Sequence, residues 1–150
     1  MGFVWVGMEV NPQRHIIPQG LETVNMGICG SECTENGILA EGVTIFANML
    51  HGHLLATQMS LRHIRDGVEL EPIDENEHYD FNYQQMTIIP GQKKLMRGDR
   101  MIMSCQYNSK SRISMTYGGG ESTDEVLYIL HKSMCHRYRY TSIPWFFSIP

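Results

Sequence analysis

The chain has 150 residues, 12 basic against 16 acidic side chains and a formal charge of -4, a size that fits one domain with one core and no internal linker. No basic run exceeds the pair Lys93-Lys94, which speaks against a nucleic-acid partner. The longest uncharged apolar stretches, 42–50 and 143–150, are about half the roughly 20 residues of a membrane-spanning helix, and residues 1–7 lack the basic n-region and long apolar core of a secretory signal.

Taken in order, the chain reads as many short strands between turns. Pro18-Gln-Gly20 marks a first turn. Cys29-Gly-Ser-Glu-Cys33 follows; a zinc site would tolerate that spacing, but Cys105 and Cys135 form no second close pair, so structural zinc is disfavoured. Four cysteines admit three disulfide pairings and point only weakly to an oxidising compartment. Gly42-Val-Thr-Ile-Phe-Ala-Asn-Met49 has the β-branched and aromatic content of a strand. Asp66-Gly67, between Leu61-Arg-His-Ile64 and Val68-Glu-Leu70, is the strongest hairpin signal. Tyr79-Asp-Phe-Asn-Tyr83 reads as a further strand, and Pro90-Gly91, Gly98-Asp99 and Gly118-Gly-Gly120 as turns in which glycine supplies a positive φ. Residues 121–130 could be read as a helix capped by Ser122 or Thr123, but no window carries a convincing 3.6-residue period. With no fixed repeat either, the expected fold is all-β: a single-domain antiparallel two-sheet sandwich, jelly-roll-like.

Chemistry gathers at Leu50-His51-Gly52-His53-Leu54. Histidines two apart on a strand project from one face, so one metal could take a nitrogen from each. Two imidazoles suit copper, zinc, iron or nickel alike, and the bare pair has little specificity.

The surrounding residues narrow this. Gly42-Val-Thr-Ile-Phe-Ala-Asn-Met-Leu-His-Gly-His-Leu54 resembles the second copper motif of the copper type II, ascorbate-dependent monooxygenases, the dopamine β-hydroxylase-like group. Further matches follow in the family's order: Ile17-Pro18-Gln19-Gly20, Cys29-Gly-Ser-Glu-Cys33, Arg62-His-Ile-Arg-Asp-Gly67, His78-Tyr-Asp-Phe-Asn-Tyr-Gln84, Gly98-Asp99, Cys105-Gln-Tyr-Asn108, Gly118-Gly119 and Ser122-Thr-Asp-Glu125. The similarity runs from residue 4 to about residue 130. It implies the C-terminal copper domain over 1–150, where O2 is activated and a C–H bond hydroxylated with ascorbate as electron donor. His51 and His53 are then the metal ligands, and the family's N-terminal copper domain has no counterpart here. Without that domain the chain by itself is not expected to turn over; no protein residue need act as acid or base.

The resemblance also carries departures. The family adds a methionine ligand, whose soft thioether suits Cu(I); its position aligns onto Val126, which cannot ligate. A degenerate site, a substitute sulfur ligand and a sequence or splicing irregularity after Glu125 all remain open, with impaired or altered copper binding expected. Met115 and Met134 are the candidate substitutes, Met115 being expected to pack in the core with most of the 11 methionines. The family's cysteine partner of Cys105 is Leu127 here, and Cys29 pairs by resemblance with Cys135. Met49 stands where peptide-amidating relatives carry an arginine, so the resemblance points to a catecholamine-like or other small amine as substrate. It also points to the secretory pathway. The alternative reading is a non-catalytic β-sandwich that binds a ligand or partner in the old site.

Other features have plain readings. His15, His63, His78, His131 and His136 are single histidines, expected to be hydrogen-bonded or exposed rather than ligating. Arg97-Gly-Asp99 spells an integrin tripeptide but reads as a turn. Asp74, Glu75 and Glu77 lack the ligand spacing of a calcium loop.

Overall fold

The structure, a computed structural model, describes residues 6–7, 15–120, 123–124 and 127–129, with side chains for 15–120 and 123–124. It is an all-β antiparallel sandwich. Its largest sheet has four strands in the order β3 (Glu22–Cys29), β9 (Arg100–Asn108), β6 (Ala56–Arg65) and β7 (Val68–Asn76). Period-two alternation along β6 and β9 turns Met59, Leu61, Met101, Met103, Cys105 and Tyr107 inward. They meet Ile45 of β4 (Val43–Asn48) and Ile89 and Leu95 of β8 (Thr87–Leu95), which pair with each other. Two smaller sheets finish the described fold. In one, β1 (Val6–Gly7) and β5 (Leu50–Gly52) flank β11 (Leu127–Ile129); in the other, β2 (Ile16–Ile17) pairs with β10 (Thr116–Tyr117).

The hairpin expected at Asp66-Gly67 forms between β6 and β7. Both turn residues have positive φ, 51° at Asp66 and 78° at Gly67, the requirement of the turn whose twist matches its flanking strands. Pro90-Gly91 is a bend, but it lies within β8 rather than between strands. Ile45 pairs with Lys93 and Ala47 with Ile88, so the register slips across it, and Gly91 and Gln92 take φ of 71° and 54°. A proline is tolerated at such a bulge because no ladder bond needs its missing N–H.

Two expectations are corrected, and a short helix joins the strands. Tyr79–Tyr83 is not a strand but a loop ending in a 3-10 turn, Phe81–Tyr83. Asp80 caps that turn by accepting from the Asn82 N–H at 2.8 Å, a local hydrogen bond that competes with ladder formation. A short helix α1, Ser31–Gly37, lies between the cysteines of the Cys-x-x-x-Cys segment and beyond. Met115 does not pack in the core: it is 52 % exposed, carried outward on the loop before β10, with its sulfur 3.9 Å from the Tyr117 hydroxyl. Among the described methionines, Met59, Met101 and Met103 are core residues, while Met26 and Met86 are exposed as well.

At the turn from β8 to β9, Gly98 takes φ +80° and drops Asp99 into the interior. Its carboxylate accepts from the Met96 N–H at 2.7 Å, from Arg65 Nε and Nη2 at 2.8 and 2.7 Å, and from His63 Nε2 at 2.7 Å. Its carbonyl accepts from Thr34 Oγ1 at 2.6 Å, which ties α1 to the sheet. Asp99 is fully buried, so the Arg-Gly-Asp tripeptide offers no carboxylate for surface recognition. The turn reading stands, and His63 is an internal hydrogen-bonding residue.

Gly42 opens the strand that leads to the histidine pair. Its φ is +76°, and a Cβ there would lie 2.7 Å from the Leu95 carbonyl oxygen, closer than a carbon can approach backbone. Gly42→Ala is therefore expected to lower stability by about 1–2 kcal/mol or more, checked by urea unfolding; an unchanged midpoint would contradict this reading of the turn.

Candidate metal centre

β4 and β5 run almost continuously, and the second histidine follows directly on β5. His51 is half-buried and His53 is 6 % exposed. Their rings converge, with centroids 5.3 Å apart and planes at 86°, as the two-residue spacing leads one to expect.

What surrounds the rings decides which nitrogen each presents. His51 Nδ1 lies 2.5 Å from Gln84 Oε1, and an amide oxygen only accepts, so Nδ1 carries the proton. His53 Nδ1 lies 3.3 Å from the backbone carbonyl of Asp124, and the same logic applies. In the neutral rings both lone pairs are then on Nε2. Fixing the tautomer through the other ring nitrogen is the arrangement metal-binding histidines use. The donor set thus fits a cation that accepts two imidazoles.

The loop after β7 builds the rest of this wall. The Tyr79 hydroxyl contacts Gly52, the Phe81 ring meets His53 edge-on at 6.1 Å, and Gln84 holds His51. Gly119 lets Asp124, whose carbonyl faces His53, approach so closely that a Cβ would collide with its carboxylate. The sequence contained all of these residues within recognisable motifs, yet nothing in their spacing announced that a loop some 30 residues downstream supports the histidines.

β11 closes the site from the other edge of β5. Leu127 pairs with Gly52 and Tyr128 with His51, so the residue that follows Val126 in sequence lies against the residue between the two histidines. Val126 itself, with Ser122, Glu125, His131, Met134, Cys135 and His136, lies outside the described residues. Among the described residues no cluster of three or more His, Cys, Asp or Glu side chains could hold a metal.

The other histidines are elsewhere. His15 is 4 % exposed and edge-on to Tyr107 at 5.6 Å; burial lowers its pKa, so it stays neutral near pH 7. His78 is exposed. Asp74 and Glu75 lie on β7 rather than in a solvated loop; the half-buried Asp74 accepts from Asn48 Nδ2 and from the Glu75 N–H, while Glu75 and Glu77 are exposed.

Residues 1–141 match the family model described as copper type II ascorbate-dependent monooxygenase, C-terminal domain. A DBH-like monooxygenase protein 1 from Gallus gallus is 36 % identical over 148 residues, 95 % of this chain and 24 % of the relative. A dopamine beta-hydroxylase from Bos taurus is 33 % identical over 83 % of this chain and 20 % of its own length. A tyramine beta-hydroxylase from Caenorhabditis briggsae is 30 % identical over 83 % of this chain and 21 % of its own length. The chain thus spans a quarter or less of each of these relatives.

Proposed function

Because the chain belongs to the family of copper type II ascorbate-dependent monooxygenase C-terminal domains, we propose that His51 and His53 hold one copper ion through their Nε2 atoms. The observation that carries this is the pair of hydrogen bonds from the two Nδ1 atoms, to Gln84 and to the Asp124 carbonyl, which leaves both Nε2 lone pairs on the same neutral rings. Bound there, copper would supply the redox chemistry by which O2, with electrons from ascorbate, hydroxylates a C–H bond. This chain's residues orient the ion's ligands: Gln84 and Asp124 fix the rings, and Phe81 meets His53 edge-on.

With Val126 in place of the family's methionine, the site is a weakened one. Two imidazoles without a thioether bind Cu(I) less tightly than two with one. The substrate in a relative-length protein would be a small amine, since Met49 offers no charge for a peptide carboxylate, and an N-terminal copper domain would be needed for turnover. We place the protein in the secretory pathway by the same reasoning, with Cys29 bridged to Cys135. The valine also favours a second reading, a non-catalytic sandwich that uses the old pocket to bind a ligand or partner.

The experiment is a Cu(I) titration against a competing chelator. The wild type is expected to bind one ion, and His51→Ala/His53→Ala to lose it. Equal binding by the two would overturn the assignment, and no binding by the wild type would favour the non-catalytic reading.

A further inference from the structure

Gly52 separates the two histidines, so its backbone angles set the direction of one ring relative to the other. Glycine is the residue that restricts those angles least, and it sits at the end of a three-residue strand. Left to itself it would be the softest link in the site. On one edge it is paired with Leu127 of β11.

The other edge is held by a side chain. The Tyr79 hydroxyl lies 3.0 Å from the Gly52 N–H, which donates to it, and 2.7 Å from the Gly52 carbonyl, to which it donates. One phenolic oxygen thus does for Gly52 what a neighbouring strand's N–H and C=O would do, on the side where β5 has no strand partner among the described residues. Tyr79 is buried, and its oxygen is also 3.1 Å from Gln84 Oε1. The single hydroxyl hydrogen is shared between two acceptors, the nearer being Gly52. The same oxygen therefore touches the peptide between the histidines and the amide that fixes His51.

We propose that Tyr79 is a positioning residue for the metal centre: by clamping the Gly52 peptide and steadying Gln84 it holds the two Nε2 atoms at one spacing. The proposal rests on the copper reading of His51 and His53. Its physical content is pre-organisation, since a pair already at the right spacing loses less freedom when the ion binds.

The test is Tyr79→Phe in the full chain, which keeps the ring and removes only the oxygen. Two quantities are read: Cu(I) affinity by chelator competition, and amide hydrogen exchange in the copper-free protein. The expected result is an affinity lower by about tenfold, the usual scale for an outer partner of a metal ligand. Exchange should accelerate at Gly52 while Met101, Met103 and Tyr107 in β9 keep their protection. Wild-type affinity in the variant would overturn the positioning role while leaving the copper reading intact. A lost affinity accompanied by general loss of protection in β9 would make Tyr79 a plain structural residue and also overturn it. If the wild type binds no Cu(I) through His51 and His53, the copper reading fails first and the positioning role with it.

Discussion

Replacing Asp99 with alanine is expected to cost about 3–5 kcal/mol of folding stability, a large share of the roughly 5–15 kcal/mol that holds an ordinary domain together. The carboxylate is fully buried and accepts hydrogen bonds from His63, Arg65 and the Met96 N–H. Its removal takes that acceptor from His63 Nε2 and the Met96 N–H, and a buried donor with no partner costs more than a made bond contributes; Arg65, 34 % exposed, keeps the Lys94 carbonyl. The Thr34 bond to the Asp99 carbonyl survives the substitution, so α1 should stay docked while β6 and the β8–β9 turn loosen. Asp99→Asn, which keeps the shape and one acceptor, should lose less. Urea unfolding measures both; a loss below about 1 kcal/mol for the alanine variant would contradict the clamp, since surface changes fall within that range.

The same cluster gives a pH dependence with a definite sign. Burial pushes the Asp99 carboxyl up, but the hydrogen bonds from Arg65, from the Met96 N–H and from His63, with His63's charge, outweigh it and hold the group below its ordinary value. A carboxyl depressed in the folded state contributes stability that is fully present above its unfolded pKa of about 3.9. That stability is lost as pH falls through the lower folded value. The wild type should therefore lose stability more steeply than Asp99→Asn below about pH 4.

Val126→Met is expected to tighten Cu(I) binding by about tenfold or more, which corresponds to about 1.4 kcal/mol. The neighbouring Leu127 pairs with Gly52, so the substitution is made one residue along the chain from a position already fixed against the histidines. The thioether is soft, flexible and matched to Cu(I). A tightening that disappears in His51→Ala/His53→Ala would tie the new sulfur to the same ion. An unchanged affinity would mean that the chain's path after Glu125 differs from the family's and that the valine is not a simple replacement.

Much of the fold was legible because its signals are local. Asp66-Gly67 requires two positive φ angles and got them, and the β-branched and aromatic run from Gly42 to Met49 contains strand β4, Val43–Asn48. The failures have a common cause. Tyr79, Phe81 and Tyr83 look like strand residues, but Tyr79 and Phe81 are spent on the histidine site, and the Asp80 cap breaks the ladder between them. Helix α1 is only seven residues long, too short to show a period, and is held by the tertiary bond from Thr34 to Asp99. The histidine pair was visible as a pair, and the resemblance supplied its metal. The tautomer-fixing partners were not visible, because an amide 33 positions downstream of His51 leaves no mark on local spacing.

The most direct measurement is copper K-edge X-ray absorption on the Cu(I)-loaded wild type beside Val126→Met. The account predicts two imidazole nitrogens and no sulfur around the ion in the wild type, with one sulfur added in the variant. A sulfur neighbour in the wild type, or a signal lacking the outer-shell scattering of imidazole, would contradict the assignment of His51 and His53 as the whole protein ligand set.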